Sequence, residues 1–466
     1  MNAVDRRTAM KLGAGAIASL SMGEGVQAAG RPRPNILFIM ADDLGYADLS
    51  CYGRDDYATP ALDRLAREGM RFTSAYSNSP VCSATRCALI TGRYQYRLPV
   101  GLEEPLARRP VGLPPSHPTL PSLLREAGYA TALVGKWHLG MLPTFGPLQS
   151  GYEHFYGFRG GGVDYFTHGF GANSDLWDGD VRIDQHGYLT DLLADRAIDL
   201  LGRFAGAKKP FFLSLHFSAP HWPWEGPEDA AVAAELAQIR DPLAAMQHFD
   251  GGTMQTYAAM VTRMDTQVAR LMAALRRLKL DRDTIIVFTS DNGGERFSKT
   301  WPFSGRKSEL LEGGVRVPAI LRWPGVARPG STSDVPLMSM DWLPTLLGAA
   351  GVPQAAAYPS DGIDLASVIR GAAAPERPMF WRFKYAAQRS ARLGEWKYLA
   401  IGGNEFLFNL DADPMERANL AAREPQRFQA LKASWTDWNA TMLPIDPDSD
   451  SHGWDGKTMA DRYTIP

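Results

Sequence analysis

Residues 35–43, NILFIMADD, and residues 284–294, TIIVFTSDNGG, share one plan: a strand-like apolar run that stops abruptly at acidic residues. Two more segments repeat it. ATALVGKWHLG (130–140) closes on Lys136 and His138, and PFFLSLHFSAPHWP (210–223) leads to His221. Between them lie stretches of helical period, TPALDRLAREGMRF (59–72), TLPSLLREAGY (119–129) and MVTRMDTQVARLMAALRRLKL (260–280). Continuous apolar strands alternating with amphipathic helices predict an α/β fold with a large, mostly parallel sheet covered on both faces. In such sheets ligands bind beyond the carboxyl ends of the strands, so polar residues at four strand ends predict one site assembled from distant segments.

The rest of the chain sets limits on that site. With 466 residues, 45% of them hydrophobic and 21% charged, the chain is long enough for one large α/β domain and a smaller one. A formal net charge of −2, from 49 basic and 51 acidic residues mixed along the sequence, argues against a nucleic-acid surface or a polybasic membrane anchor. An anionic substrate must therefore be met locally. Residues 1–28 read as a twin-arginine-type signal peptide: Arg6 and Arg7, a soft Ala/Gly-rich run, then the cleavage pattern Val26-Gln27-Ala28. No other window approaches the ~20 apolar residues of a membrane span. The expectation is a protein exported by the twin-arginine machinery of a bacterium to the periplasm or beyond, with no stable membrane anchor.

The sheet pattern continues to MDWLPTLLGAAG (340–351) and fades in a Pro/Ala-rich connection. Residues 389–422 then read as two or three short antiparallel strands, a turn and a helix. The predicted organisation is a catalytic domain over 29–370 and an α+β subdomain with a small antiparallel sheet over 371–466. The Asp/Ser-rich stretch IDPDSDSHGWDGK (445–457) reads as a solvated surface segment.

Alone, DNGG is an ordinary turn and a single histidine an ordinary structural side chain. Together, Asp42, Asp43, Asp291 and Asn292 at adjacent strand ends would repel one another without a cation, and an all-oxygen set suits a hard ion such as calcium or magnesium. Arg86, Lys136, His138, His221 and Lys307 add charge and proton carriers fit for a tetrahedral oxyanion, which points to sulfate or phosphate ester chemistry. Cys82 stands directly before a short helix. Core packing, metal ligation and nucleophilic attack are all open to it, and a helix N-terminus would lower its thiol pKa. With Cys51 and Cys87 it makes an odd set that forms one disulfide at most.

CSATRCALITGRY (82–94) resembles the signature of type I sulfatases, in which a cysteine, any residue, proline or alanine, usually serine, and arginine precede a threonine-glycine-arginine segment. The likeness extends through PNILFIMADDLGYADLSCYG (34–53), GKWHLG (135–140), SAPHWP (218–223), SDNGG (290–294), GRKSELLEGGVRVPAILRWPG (305–325) and FLFNLDADPMERANLA (406–421). It implies an alkaline phosphatase-like fold and calcium-dependent hydrolysis of sulfate esters, arylsulfatase-like. A maturation enzyme would convert Cys82 to Cα-formylglycine, whose hydrate is the nucleophile. One calcium ion would be held by Asp42, Asp43, Asp291 and Asn292 with residue 82. By the same resemblance Arg86 and Lys136 orient the nucleophile, His138 takes the proton when sulfate is eliminated, and His221 and Lys307 bind sulfate and protonate the leaving alcohol. Thr85 stands where serine is usual, Ala84 where proline is common, and Arg306 where glycine is usual.

Two other readings share many of these residues: a phosphoesterase or phosphonate monoester hydrolase of the same superfamily, and a non-catalytic binder of sulfated glycans. The substrate, a small-molecule or carbohydrate sulfate ester, would be selected by loops whose aromatics Tyr94, Tyr96, Tyr165, Phe166, Trp222 and Trp224 are candidates for an apolar wall.

Overall fold

The computed structural model describes residues 33–107, 109–170, 173–239 and 252–453; the signal segment 1–28 lies outside them. Among the described residues the main sheet has eleven strands. Its middle is the strand Asn35–Ala41, paired in parallel with Thr284–Ser290 on one side and Phe211–His216 on the other. Ala130–Gly135 and His154–Gly157 extend the parallel set. Beyond Thr284–Ser290, Arg316–Arg322 runs antiparallel to it, and Met70–Tyr76, antiparallel to Arg316–Arg322, returns to the common direction.

Strand 35–41 is buried at every position, and its residues divide between two cores. Leu37, Ile39 and Ala41 join one with Leu193, Leu200, Met264 and Leu271 of the helices Leu189–Ala207 and Met254–Arg277. Ile36, Phe38 and Met40 join the other with Leu124 of Leu120–Glu126 and with Trp342 and Leu346 of Trp342–Ala350. Alternation along a doubly covered strand thus explains why its sequence is apolar without interruption.

Cys82–Thr91 forms a helix buried at all ten positions. It has no solvent face because Leu89 and Ile90 pack under the main sheet while Ala84 and Ala88 meet the C-terminal sheet. The helix stops at Gly92, which turns left-handed at φ 66 and returns its N–H to Ala88 O. Thr85 is accommodated by its hydroxyl, which exchanges hydrogen bonds with the N–H and carbonyl of Ser79, both at 3.0 Å.

The C-terminal sheet has four antiparallel strands, Met379–Phe383, Gln388–Leu393, Trp396–Ile401 and Asn404–Asn409, followed by the helix Pro425–Ala440. The first strand, MFWRF, was not among those expected; it is buried throughout, so it carries no alternating pattern. Lys397 ties this sheet to the main one through Glu312, at 2.9 Å, and also meets Glu416 at 2.8 Å. Glu312 in turn accepts from the Tyr76 hydroxyl at 2.5 Å and pairs with Arg316 at 3.2 Å.

One expectation is corrected and two are refined. The described part of the Asp/Ser-rich segment lies at the surface as expected and is also anchored: Lys384 Nζ donates to the carbonyls of Asp446, Pro447 and Ser449 at 2.9, 2.7 and 2.6 Å, and the Glu103 carboxylate accepts from Asp450 N. Within the limit of one disulfide at most, none forms: Cys51, Cys82 and Cys87 are all free. The proposed aromatic wall is core: Tyr94 and Tyr96 pack in the cluster of the C-terminal sheet, Tyr165, Trp222 and Trp224 in that of the long helices, with Phe166 against it. Among the described residues no helix is long and apolar enough to cross a membrane.

The buried Lys397 pairing yields a stability prediction. Lys397→Ala leaves Glu312 and Glu416 short of their shared cation, so urea denaturation should show a loss of about 3–5 kcal/mol.

Candidate active site

Parallel pairing brings the acidic strand ends together. Ala41 lies opposite Ser290, so Asp42 and Asp43 emerge beside Asp291 and Asn292. Asp43, at φ 62, turns its N–H onto Asp291 Oδ1 at 3.2 Å, and Asn292 Nδ2 donates to Asp43 Oδ1 at 2.7 Å. All four are buried, and Asn292 Oδ1 has no hydrogen-bond partner.

Each carboxylate has a cation from a different element. Lys136 Nζ lies 2.6 Å from Asp42 Oδ2, and Lys307 Nζ 2.6 Å from Asp43 Oδ2. Arg86, four residues into the buried helix, directs Nε and Nη2 to Asp291 Oδ2 at 3.0 and 2.8 Å and Nη1 to Lys136 O at 3.2 Å. The approach of Lys136 depends on Gly135: at φ 109, a Cβ there would stand 1.8 Å from His216 O, the atom that accepts the Lys136 N–H.

Cys82 begins the helix with Sγ 3.5 Å from Asp42 Oδ1 and 3.9 Å from Asp43 Oδ1. Against the expectation of a lowered thiol pKa, burial pushes it well above the usual range. Lys136 opposes the shift and Asp42 adds to it. Burial and the Asp291 carboxylate likewise push Asp42 up, whereas Arg86 overcomes burial to hold Asp291 down and Lys307 does the same for Asp43.

The histidines have defined tautomers. His221 Nδ1 lies 2.5 Å from Trp222 O and so carries the hydrogen, leaving Nε2 to face Asp43 Oδ2 at 3.6 Å. Burial and Lys307 lower its pKa to about 3. His138 Nε2 donates to Leu106 O at 2.8 Å, and its Nδ1 is buried without a partner. Burial and Lys136 place its pKa well below the ordinary histidine value.

Every site residue expected from the sequence is thus in this one buried cluster. Sequence reasoning missed two neighbours. His216 lies inside a strand run, yet its Nδ1 sits 3.4 Å from Arg86 Nη1 and 3.2 Å from Lys136 O. Glu295, directly after DNGG, lies 4.0 Å from Lys307. Their positions at a strand end and beside an acidic turn were the available signals.

The donor set fits a hard cation. Donor atoms of Asp42, Asp43, Cys82 and His221 lie within 4.8 Å of one another, and Asp291 and Asn292 border them through the bonds to Asp43. The buried, unpartnered amide oxygen of Asn292 and the burial-raised Asp42 are what a site short of positive charge would show.

Comparison with known proteins gives concordant findings. The sulfatase family profile matches residues 34–352. N-acetylgalactosamine-6-sulfatase of Canis lupus familiaris is 32% identical over 400 residues, covering 80% of this chain and 73% of its own. Arylsulfatase A of Homo sapiens is 31% identical over 474 residues, covering 87% of each. The crystal structure of Ps i-CgsB in complex with k-i-k-neocarrahexaose aligns with a TM-score of 0.79 at 28% identity, over 93% of this chain and 98% of that one.

The ion pair of Arg86 can be tested apart from chemistry. Arg86→Met leaves buried Asp291 uncompensated and should cost about 3–5 kcal/mol by denaturant titration, whereas Arg86→Met with Asp291→Leu should recover most of that loss. Activity should be absent from both variants.

Proposed function

This chain belongs to the sulfatase family of the alkaline phosphatase superfamily and hydrolyses sulfuric esters, and on that premise we propose its finer chemistry. Residue 82 acts as Cα-formylglycine, one calcium ion is held by Asp42, Asp43, Asp291 and Asn292 with residue 82, and the substrate is a sulfated carbohydrate. The observation that carries this reading is the convergence of Cys82 with three carboxylates, three cations and two histidines of fixed tautomer in one buried cluster.

Calcium would supply Lewis-acid polarisation of a sulfate oxygen. The modified residue would supply a geminal diol, one hydroxyl to attack sulfur and the other to expel sulfate as the aldehyde re-forms. An unmodified thiol has neither a second hydroxyl nor, at this depth of burial, an accessible thiolate.

The remaining side chains have separable tasks. Lys136 and Arg86 hold Asp42 and Asp291 in place and offset their charge. Lys307 and His221 share Asp43 Oδ2. Lys307 binds a sulfate oxygen and carries protons for the departing alcohol, while His221 Nε2, bare in this structure, would pass a proton to that alcohol only after taking one up beside the incoming sulfate charge. With its Nε2 hydrogen committed to Leu106 O, His138 has only Nδ1 to accept the proton that leaves residue 82 during sulfate release. A passive glycan binder would need the cations but not this division of proton transfer.

A carbohydrate is favoured over an aryl or steroid ester because the aromatics expected to wall the pocket are spent on the core. The name of one relative and the oligosaccharide bound to one structural neighbour support the same class. The twin-arginine pattern of residues 1–28 supports maturation inside the cell followed by export to the periplasm or medium.

Intact mass of active protein should show that residue 82 has lost one sulfur and two hydrogens and gained one oxygen; full activity with cysteine intact would overturn the formylglycine assignment. Chelation should abolish turnover and lower the melting temperature. Calcium at a hundredfold excess over its Kd should restore about 2.7 kcal/mol of stability. Specificity constants for a matched aryl sulfate, phosphate monoester and phosphodiester decide the ester class, with sulfate expected to lead.

A further inference from the structure

Residues 160–162 are three consecutive glycines, and each excludes a side chain for a different neighbour. A Cβ on Gly160 would stand 2.9 Å from Asp175 Oδ2. One on Gly161 would stand 2.8 Å from His138 Cε1 and 2.9 Å from its Nε2, and one on Gly162 would stand 3.0 Å from His221 Cε1. A single backbone turn therefore lies against both imidazoles.

The turn is held from behind. Asp175 Oδ2 accepts the N–H groups of Gly160 at 2.7 Å and Arg159 at 3.1 Å, while its Oδ1 accepts from Trp177 Nε1 at 2.6 Å. The Arg159 guanidinium lies over the rings of Phe155 and Trp177, 5.1 and 4.7 Å from their centres, and Nη2 donates to Asp180 Oδ1 at 2.6 Å. Arg159 O also accepts the backbone N–H of His138 at 3.2 Å, which couples the turn to the strand end bearing that histidine.

We infer that the Arg159–Gly162 turn is a template that fixes the two proton-carrying imidazoles, and that Asp175 is a positioning residue of the reaction. The inference rests on the roles proposed above for His138 and His221. Neither ring has room to swing toward the turn, so each retains the tautomer set by its own carbonyl partner, Leu106 O or Trp222 O. A methyl group at residue 161 or 162 meets a ring rather than backbone, so it should displace the ring and leave the fold in place. Misplacement on the scale of an ångström is enough to lower a rate by about a hundredfold.

Single-turnover and steady-state kinetics on the mature enzyme separate the two contacts. Gly161→Ala should release one phenol per site from p-nitrophenyl sulfate at near the normal rate and then slow, with sulfated protein accumulating, because sulfate release depends on His138. Gly162→Ala should slow the first step, more for a sulfated sugar than for the activated phenol, because leaving-group protonation depends on His221. Asp175→Ala should impair both steps by about tenfold or more, with partial rescue in Asp175→Asn, which keeps one carbonyl acceptor. Melting curves superimposable on wild type would exclude simple unfolding as the cause. His138→Ala and His221→Ala are run alongside. If these two divide the steps but the glycine and Asp175 variants stay within about twofold of wild type, or if Gly161→Ala and Gly162→Ala affect both steps alike, the template is overturned and the catalytic roles stand. If the histidine variants fail to divide the steps, the role assignment fails and the template falls with it.

Discussion

The structure turns on the matching of three buried carboxylates with three buried cations at the ends of two neighbouring parallel strands. Ionised groups are costly to bury unless paired and hydrogen-bonded, and here each partner arrives from a separate part of the chain. Arg86 comes from the buried helix, Lys136 from a third strand end and Lys307 from the segment leading to the strand 316–322. A shift of any one element would expose a charge to apolar surroundings, so the electrostatics select a single arrangement of the sheet, the helix and the connecting loops. The same arrangement leaves cationic groups, proton carriers and a burial-raised carboxylate around Cys82.

Much of this was legible in the chain. Apolar strands that end in charge are a strong pattern because a doubly covered parallel sheet has no solvent face to dilute it, and Asp42, Asp43, Lys136, Asp291 and Asn292 all followed from it. His216 closes its strand by the same rule, but Phe217 follows it directly, so the run read on to His221. The C-terminal strand Met379–Phe383 was hidden because full burial erases alternation. The aromatics of the loops misled in the opposite direction. Tyr165, for example, spends its ring in the core and its hydroxyl on His221 O at 2.9 Å, so it supports the site from below rather than facing a substrate. Asp175 left no trace in the sequence, since a carboxylate that binds backbone N–H groups requires no complementary side-chain pattern.

The smaller sheet is more than an appendage to the larger one. Its apolar face shares a cluster with Val81, Ala84, Ala88, Tyr94 and Tyr96, so it roofs the segment that carries Cys82. The Trp381 indole donates to Ser77 O, and Gln388 reaches both Ser308 O and the Leu310 N–H, beside Lys307. Packing of the C-terminal residues therefore reaches both the cysteine and the lysine on Asp43, although none of those residues carries chemistry.

A helix enclosed on every side has a consequence in time. Cys82 is 2% exposed, and its helix is sandwiched between two sheets whose strands come from both ends of the chain. Once the last strands and the helix Pro425–Ala440 have docked, no enzyme can grip the backbone around residue 82 without undoing the fold. Any chemistry that another protein were to perform on this side chain would belong to the life of the nascent or unfolded chain, with folding as the latch that ends the opportunity.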